Sequence, residues 1–315
     1  MISHEEWDDV LKQTAYCAFQ QAWAYGEIFV RANLEVNRFV AFDQGEIIAI
    51  GQVITRRYAK FFKFSLLLQG PIWLKDISND QRKFILQNIR DRYPLKNFNL
   101  FAFSPAQNPV QNPVQNLEKN DERELYEQMG FRQIITGGST VLIDLRLSED
   151  QLWQNLYGKN RTDIRKAEKN DLEVIFSDHN HIYADWLLKK ENKQQKEKKY
   201  QGLPAALSKS YGEYSSPDQG VYTAFAVEKG AHSPLAGIVI LRHGNAATYH
   251  IGWNGREGRK RRALNFLLWQ MMLKLKQSGV QIFDLGGINT AKGADIARFK
   301  LSFGGDVTKV NGTFM

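Results

Sequence analysis

The stretch Val221-Tyr222-Thr223-Ala224-Phe225-Ala226-Val227, Glu228-Lys229-Gly230, Leu235-Ala236-Gly237-Ile238-Val239-Ile240-Leu241 reads as strand, turn, strand. Its apolar and β-branched runs are separated by a break that carries glycine. After Arg242-His243-Gly244-Asn245 comes a third strand, Ala247-Thr248-Tyr249-His250-Ile251-Gly252. A helix is predicted over Ala263–Gln277, because Leu264, Leu267, Leu268, Met271, Met272 and Leu275 fall on one face at the helical period. The strand Val280–Leu285 closes the unit.

The same order stands earlier in the chain. Arg38–Phe42 reads as a strand, Asp43–Glu46 as a turn, and Ile47–Ile54 as the second strand. Phe64–Leu68 follows and runs into Gln69-Gly70-Pro71-Ile72-Trp73. A helix over Asn79–Tyr93 carries Phe84, Ile85, Ile89 and Tyr93, and the strand Phe98–Phe103 closes this copy. This plan, met twice, resembles that of the acetyltransferase superfamily called GNAT. Leu125-Tyr126-Glu127-Gln128-Met129-Gly130-Phe131 is similar to its Leu-Tyr-x-x-x-Gly-Phe signature, and Arg298-Phe299-Lys300-Leu301-Ser302-Phe303-Gly304-Gly305 stands at the same place in the second copy. The expected fold is therefore α/β (α+β): two tandem GNAT-like acyltransferase domains, each a mixed, mostly antiparallel sheet flanked by helices. The expected boundaries are 1–147 and 148–315.

Composition agrees with a soluble chain of that size. The 315 residues are 43% hydrophobic and 24% charged, enough for two real cores. The single cysteine, Cys17, excludes an intramolecular disulfide; it falls in Trp7–Phe19, read as helical. No stretch approaches the roughly 18 apolar residues of a membrane span. The acidic start, Ser3-His4-Glu5-Glu6, is not a secretion signal. A cytoplasmic protein is expected, with peripheral contact at the inner face of the plasma membrane left open. The net charge of +8 favours anionic partners without choosing among them. The repeat Gln107-Asn108-Pro109-Val110, Gln111-Asn112-Pro113-Val114 reads as an exposed loop, and Lys189–Lys199, with six lysines, as a solvated helix face. Nothing suggests a metal site.

Three motifs carry the chemistry. Leu152-Trp153-Gln154-Asn155-Leu156 precedes a basic amphipathic helix in which Arg161, Arg165 and Glu168 neighbour one another and Ile164 and Ala167 face inward. Tyr249-His250-Ile251-Gly252-Trp253-Asn254 leads through Gly255 into Arg256–Arg262, where Arg256 and Arg259 precede a helix whose N-terminus favours anions. Gly255 and Gly258 lack the spacing of a coenzyme A pyrophosphate loop. Finally, Phe283-Asp284-Leu285-Gly286-Gly287-Ile288 is followed about a dozen residues later by Phe299-Lys300.

In order, from Gln21-x-Trp23-Ala24 through Gly70-Pro71 to Phe299-Lys300, these motifs resemble the Fem peptidoglycan-bridge aminoacyltransferases over nearly the whole chain. No long helical hairpin is inserted. The resemblance implies transfer of an amino acid from aminoacyl-tRNA to an amine of a UDP-linked or lipid-linked peptidoglycan precursor, with no other cofactor. It implies that Lys300 faces the oxyanion, that Phe299 lines a channel, and that His250 or Tyr249 orients the amine or moves a proton. Asp284, Gly286, Gly287, Trp23, Arg161, Arg165, Arg256 and Arg259 become candidates for substrate binding. It also allows Val307–Met315 to return to the first domain. Gln69 stands where relatives carry a basic residue. Two other readings remain: an N-acyltransferase using acyl-CoA or a carrier thioester, and a non-catalytic protein binding nucleic acid or envelope.

Overall fold

The computed structural model describes residues 2–58, 61–107, 119–198, 203–289 and 293–315. The chain divides into two compact units, 1–138 with 309–315, and 139–308.

The first unit opens with α1 (His4–Leu11), capped by Ser3 and Glu6 reciprocally, and α2 (Trp23–Arg31). The helix expected over Trp7–Phe19 stops at Leu11, where Thr14 Oγ1 takes the Leu11 carbonyl, so Cys17 sits buried in irregular chain. There follow β1 (Glu35–Asp43), β2 (Glu46–Arg57), β3 (Lys63–Leu67), β4 (Ile72–Trp73) and α3 (Asn79–Asp91). Then come β5 (Asn99–Phe103), α4 (Lys119–Gln128) and β6 (Gln133–Ile135). Gln44 and Gly45, both at positive φ, make the tight turn between β1 and β2. The core forms where Ile85, Leu86 and Ile89 of α3 meet Phe101, Phe103 and Phe131.

The second unit runs β7 (Ser139–Asp144), α5 (Glu149–Asn155), α6 (Gly158–Glu168), β8 (Leu172–Ser177), α7 (Ile182–Lys198), α8 (Ala206–Glu213) and β9 (Gly220–Glu228). It continues with β10 (Pro234–His243), β11 (Ala246–Asn254), α9 (Arg256–Lys260), α10 (Ala263–Gln277), β12 (Ile282–Ile288), α11 (Ala294–Leu301) and β13 (Asp306–Lys309). Its sheet is ordered β13-β7-β12-β11-β10-β9-β8. β11 and β12 pair in parallel, with α10 as their crossover, while the β12–β7, β10–β11, β9–β10 and β8–β9 pairs are antiparallel. Leu267, Leu268, Met271, Met272 and Leu275 of α10 are fully buried against this sheet. Each such side chain contributes about 1.5–3 kcal/mol.

The last strand, β14 (Thr313–Phe314), lies in the first sheet, whose order is β1-β2-β3-β5-β14-β6 with β4 beside β2. Phe314 is 3% exposed and packs on Phe103 and Tyr126. The tail Val307–Met315 is thus split: its first residues lie in β13 beside β7, and its last pair with β5 and β6.

Two loop expectations need comment. Gln107 is buried, not exposed, because its amide reaches the Lys309 carbonyl at 3.3 Å. The rest of that repeat, 108–114, lies outside the described residues. Lys189, Lys193 and Lys196 of α7 are exposed, as a solvated face requires. Lys190 instead lies over Trp186 and Trp253, and Lys199 lies outside the described residues.

Candidate active site

The pairing of β11 with β12 begins at Ala246 opposite Ile282 and ends at Thr248 opposite Asp284. Both strands run on, β11 to Asn254 and β12 to Ile288. A wedge therefore opens in the middle of the sheet, just past Thr248 and Asp284. Two irregularities sit at its mouth. On β11, Val239 faces Ile251 and Ile240 faces Tyr249, so His250 is the extra residue of a β-bulge. On β12, the register with β7 shifts between Asp284 and Gly287. Bulges re-aim side chains and end pairing, which is the geometry a site within a sheet needs.

The corresponding strands of the first unit behave differently. β3 and β5 pair in parallel from Lys63 opposite Asn99 to Leu67 opposite Phe103. The ladder then continues, with Ser104 N–H donating to the Leu67 carbonyl and Gly70 N–H to the Ser104 carbonyl, each at 2.9 Å. That seam is closed by hydrogen bonds where the seam of the second unit opens.

Lys300 comes to the wedge from α11. It is 8% exposed, and its Nζ donates to the Gly287 carbonyl at 2.8 Å. Burial lowers its pKa to about 8, and the nearby Asp284 charge opposes that shift. The ammonium is thus partly desolvated but still mostly protonated at neutral pH. Asp284 accepts from Thr140 Oγ1 and from the Gly286 N–H, the latter at 2.7 Å. Gly286 has φ +76°, and a Cβ there would lie 3.4 Å from the Tyr249 carbonyl and 3.5 Å from Lys300 Nζ. The glycine admits both the backbone turn and the approach of the lysine.

His250 Nε2 is buried and has no hydrogen-bond partner among the described residues. Desolvation lowers the imidazole pKa to about 4, so it is neutral at pH 7 with an available ring nitrogen. The Tyr249 ring lies over Gly252, where no side chain would fit. Phe299 packs edge-on against Phe303 at 5.3 Å and against the core of this unit.

The arginines do not converge on the wedge. Arg161 donates to the carbonyls of Gln154 and Leu156, closing the C-terminal end of α5. Arg165 is exposed and lies over the Trp153 ring, 5.3 Å from its centroid. Arg256 and Arg259 are exposed on α9, with Arg259 donating to the Asn254 carbonyl at 2.8 Å. Gly255 and Gly258 are there for close packing: Cβ atoms would fall 3.1 and 2.5 Å from the Leu235 carbonyl. Trp23, in the first unit, is stacked on His4 and covered by the Arg38 guanidinium 3.5 Å from its ring centroid. Arg38 in turn pairs with Glu27 at 3.0 Å.

Sequence reading missed Thr140 and Asn160. Thr140 fixes Asp284 from 144 residues away. Asn160, 2% exposed, donates to the Ser302 carbonyl and accepts from Asn265, tying α6, α10 and the end of α11 together. The asparagine before Arg161 in an otherwise basic helix was the one available signal. Among the described residues no cluster of His, Cys, Asp or Glu is placed to hold a metal, and no helix is long and apolar enough to cross a membrane.

The FemAB family model matches residues 177–315. No curated protein matches the chain in sequence. Among solved structures, FemX is similar with a TM-score of 0.83 at 14% identity, over 100% of this chain and 96% of that one. A conserved protein of unknown function from Bacteroides thetaiotaomicron is similar with a TM-score of 0.57 at 11% identity, over 99% and 96%. The C-terminal domain of a putative lysylphosphatidylglycerol synthetase from Agrobacterium fabrum is similar with a TM-score of 0.54 at 14% identity, over 99% and 92%. The resemblance to the Fem family drawn from the motifs is therefore borne out, in sequence over residues 177–315 and in fold over the whole chain.

Proposed function

We propose that the chain is an aminoacyltransferase of Fem type, moving an amino acid from aminoacyl-tRNA to an amine of a peptidoglycan precursor. The observation that carries this reading is the opened β11–β12 seam with the Lys300 amine held at its mouth by the Gly287 carbonyl. The match to the FemAB family over residues 177–315 supports it.

In the proposed reaction the acceptor amine attacks the ester carbonyl of the aminoacyl group. A C–N bond forms, and the carbonyl oxygen becomes an oxyanion. The Lys300 ammonium supplies charge and N–H donors to that oxygen in a site with little water, where such donors are worth most. The C–O bond to the ribose then breaks, and the ribose oxygen leaves with the proton that the attacking nitrogen gives up. The attacking nitrogen must lose a proton, and the unpartnered Nε2 of neutral His250 is the acceptor proposed for it. Thr140 and the Gly286 N–H fix Asp284, whose charge keeps Lys300 protonated despite burial. Aminoacyl-tRNA is the only co-substrate the scheme requires. The reaction is proposed to run in the cytoplasm, with the lipid-linked precursor reached at the inner membrane face.

An acyl-CoA donor is the weaker reading. The place where a simple acetyltransferase would cradle pyrophosphate holds the helix α9, whose glycines pack on Leu235.

The test is a transfer assay with labelled mixed aminoacyl-tRNA, and UDP-linked pentapeptide or its lipid-linked form as acceptor. Labelled acetyl-CoA runs in parallel. Transfer from tRNA that falls by at least roughly 100-fold in Lys300→Met, as loss of an oxyanion donor would give, supports the reading. Transfer from acetyl-CoA alone would replace it.

A further inference from the structure

The first sheet ends in β1, a nine-residue strand whose inner neighbour is β2. Among the described residues no strand pairs with its outer side. Natural sheets blunt such edges with proline, charge, early bulges or a covering element, because unpaired N–H and C=O groups template another strand. β1 contains no proline, its bulge comes only at Ala41–Phe42, and none of its residues is buried.

Beside this edge runs a groove of about 570 Å³. Its floor is Phe39 and Ala41 of β1 with Ile85 and Ile89 of α3. Phe84, 71% exposed, and Phe42, 63% exposed, stand at its rim. α3 runs antiparallel to β1. Its N-terminal Gln81 donates to Asp43 at 3.0 Å, and Tyr93, just past its C-terminal end, lines the groove with Asn37. The groove therefore has a polarity, with Asp43 and Asp80 at one end and Arg92 at the other.

We infer that this edge and groove bind an extended peptide segment of a partner protein, added antiparallel to β1 as a further strand. The unpaired backbone would supply the ladder, and the groove would take alternate side chains of the added strand. Charge sets the occupant: a basic residue beside Asp43 and Asp80, apolar residues over Phe39 and Ile85, and an acidic residue beside Arg92. A second copy of this chain is disfavoured when the two strands overlap fully. Antiparallel pairing of two β1 strands about Phe39 would set Glu35 against Asp43 at both ends, and like charges directly opposite destabilise a strand pair.

The probe is the capped peptide Lys-Thr-Val-Thr-Phe-Thr-Glu, titrated calorimetrically into the full chain, with amide shifts and hydrogen exchange read on β1. Binding is expected, with new protection on the outer amides of β1. Exchanging the terminal Lys and Glu is expected to weaken it about fivefold. N-methylating alternate amides is expected to abolish it in one of the two possible series. Phe84→Ala and Arg92→Glu, both at exposed positions, are expected to weaken it while leaving the thermal midpoint unchanged. No binding, or equal binding by both methylated series, overturns the inference. So does occupation of the groove by octanoate without the peptide, or by a second copy of the chain in sedimentation.

Discussion

Lys300 ties stability to pH in a direction that can be measured. Its native pKa of about 8 lies below the ordinary lysine value of about 10.4. Between those two values the unfolded chain holds a proton that the native chain lacks, so stability rises as pH climbs through the window. Against Lys300→Met, the wild type should gain on the order of 3 kcal/mol between pH 7.5 and 10.5, read as urea midpoints. His250 acts at the other end of the scale. Its value of about 4 lies below the ordinary histidine value of about 6.5, so stability falls as pH drops through that interval. His250→Phe should flatten the acid limb, and an unchanged limb would mean that the ring is hydrated in solution. Gly286→Ala puts a side chain at positive φ and within van der Waals reach of Lys300. It should cost about 1–2 kcal/mol and depress transfer out of proportion to stability. Lys300, Gly286 and His250 were legible in the sequence as types of residue. Thr140 was not, because its only connection to Asp284 is made across a strand pair distant in sequence.

At the scale of elements, legibility followed the strength of the local signal. α10 begins and ends where its apolar period does, with Gly279 at φ +84° just beyond. Apolar spacing continues past Leu11, but α1 ends there: the next bonds tighten to i→i−3, from the Gln13 N–H to Val10 and from the Thr14 N–H to Leu11. β12 runs three residues past Leu285: two glycines read as a break, but Gly287 and Ile288 pair with Thr140 and Ser139 of β7. The opening of β11 from β12 could not be read at all, since a bulge is a property of two strands. The turn after α11 repeats the one after α4, each carrying a glycine at positive φ just past the helix: Gly304 at +77° and Gly130 at +80°. A Cβ on Gly304 would lie 2.1 Å from the Asn155 carbonyl. Gly304→Ala should therefore destabilise the second unit by more than Gly286→Ala does, by loss of near-UV dichroism at lower urea. Equal effects would show that Asn155 yields freely.

The whole molecule was legible as two copies of one plan, and the tail was suspected of returning. The sequence did not show that the return is made by Phe314, an aromatic near the end of the given chain that fills a core whose first residue is Ile48. Phe314→Ala should cost about 3–5 kcal/mol, and hydrogen exchange should place the loss in β5, β6 and α4 while α10 keeps its protection. Loss spread evenly over both units would instead mean that they unfold as one. The same strand has a consequence during synthesis. Residues 139–308 leave the ribosome before β14 does, so the later unit can close first while the earlier one waits for its last strand. A chain that lacks residues 309–315 is therefore expected to keep the fold of residues 139–308 and to lose that of the first unit, read by limited proteolysis.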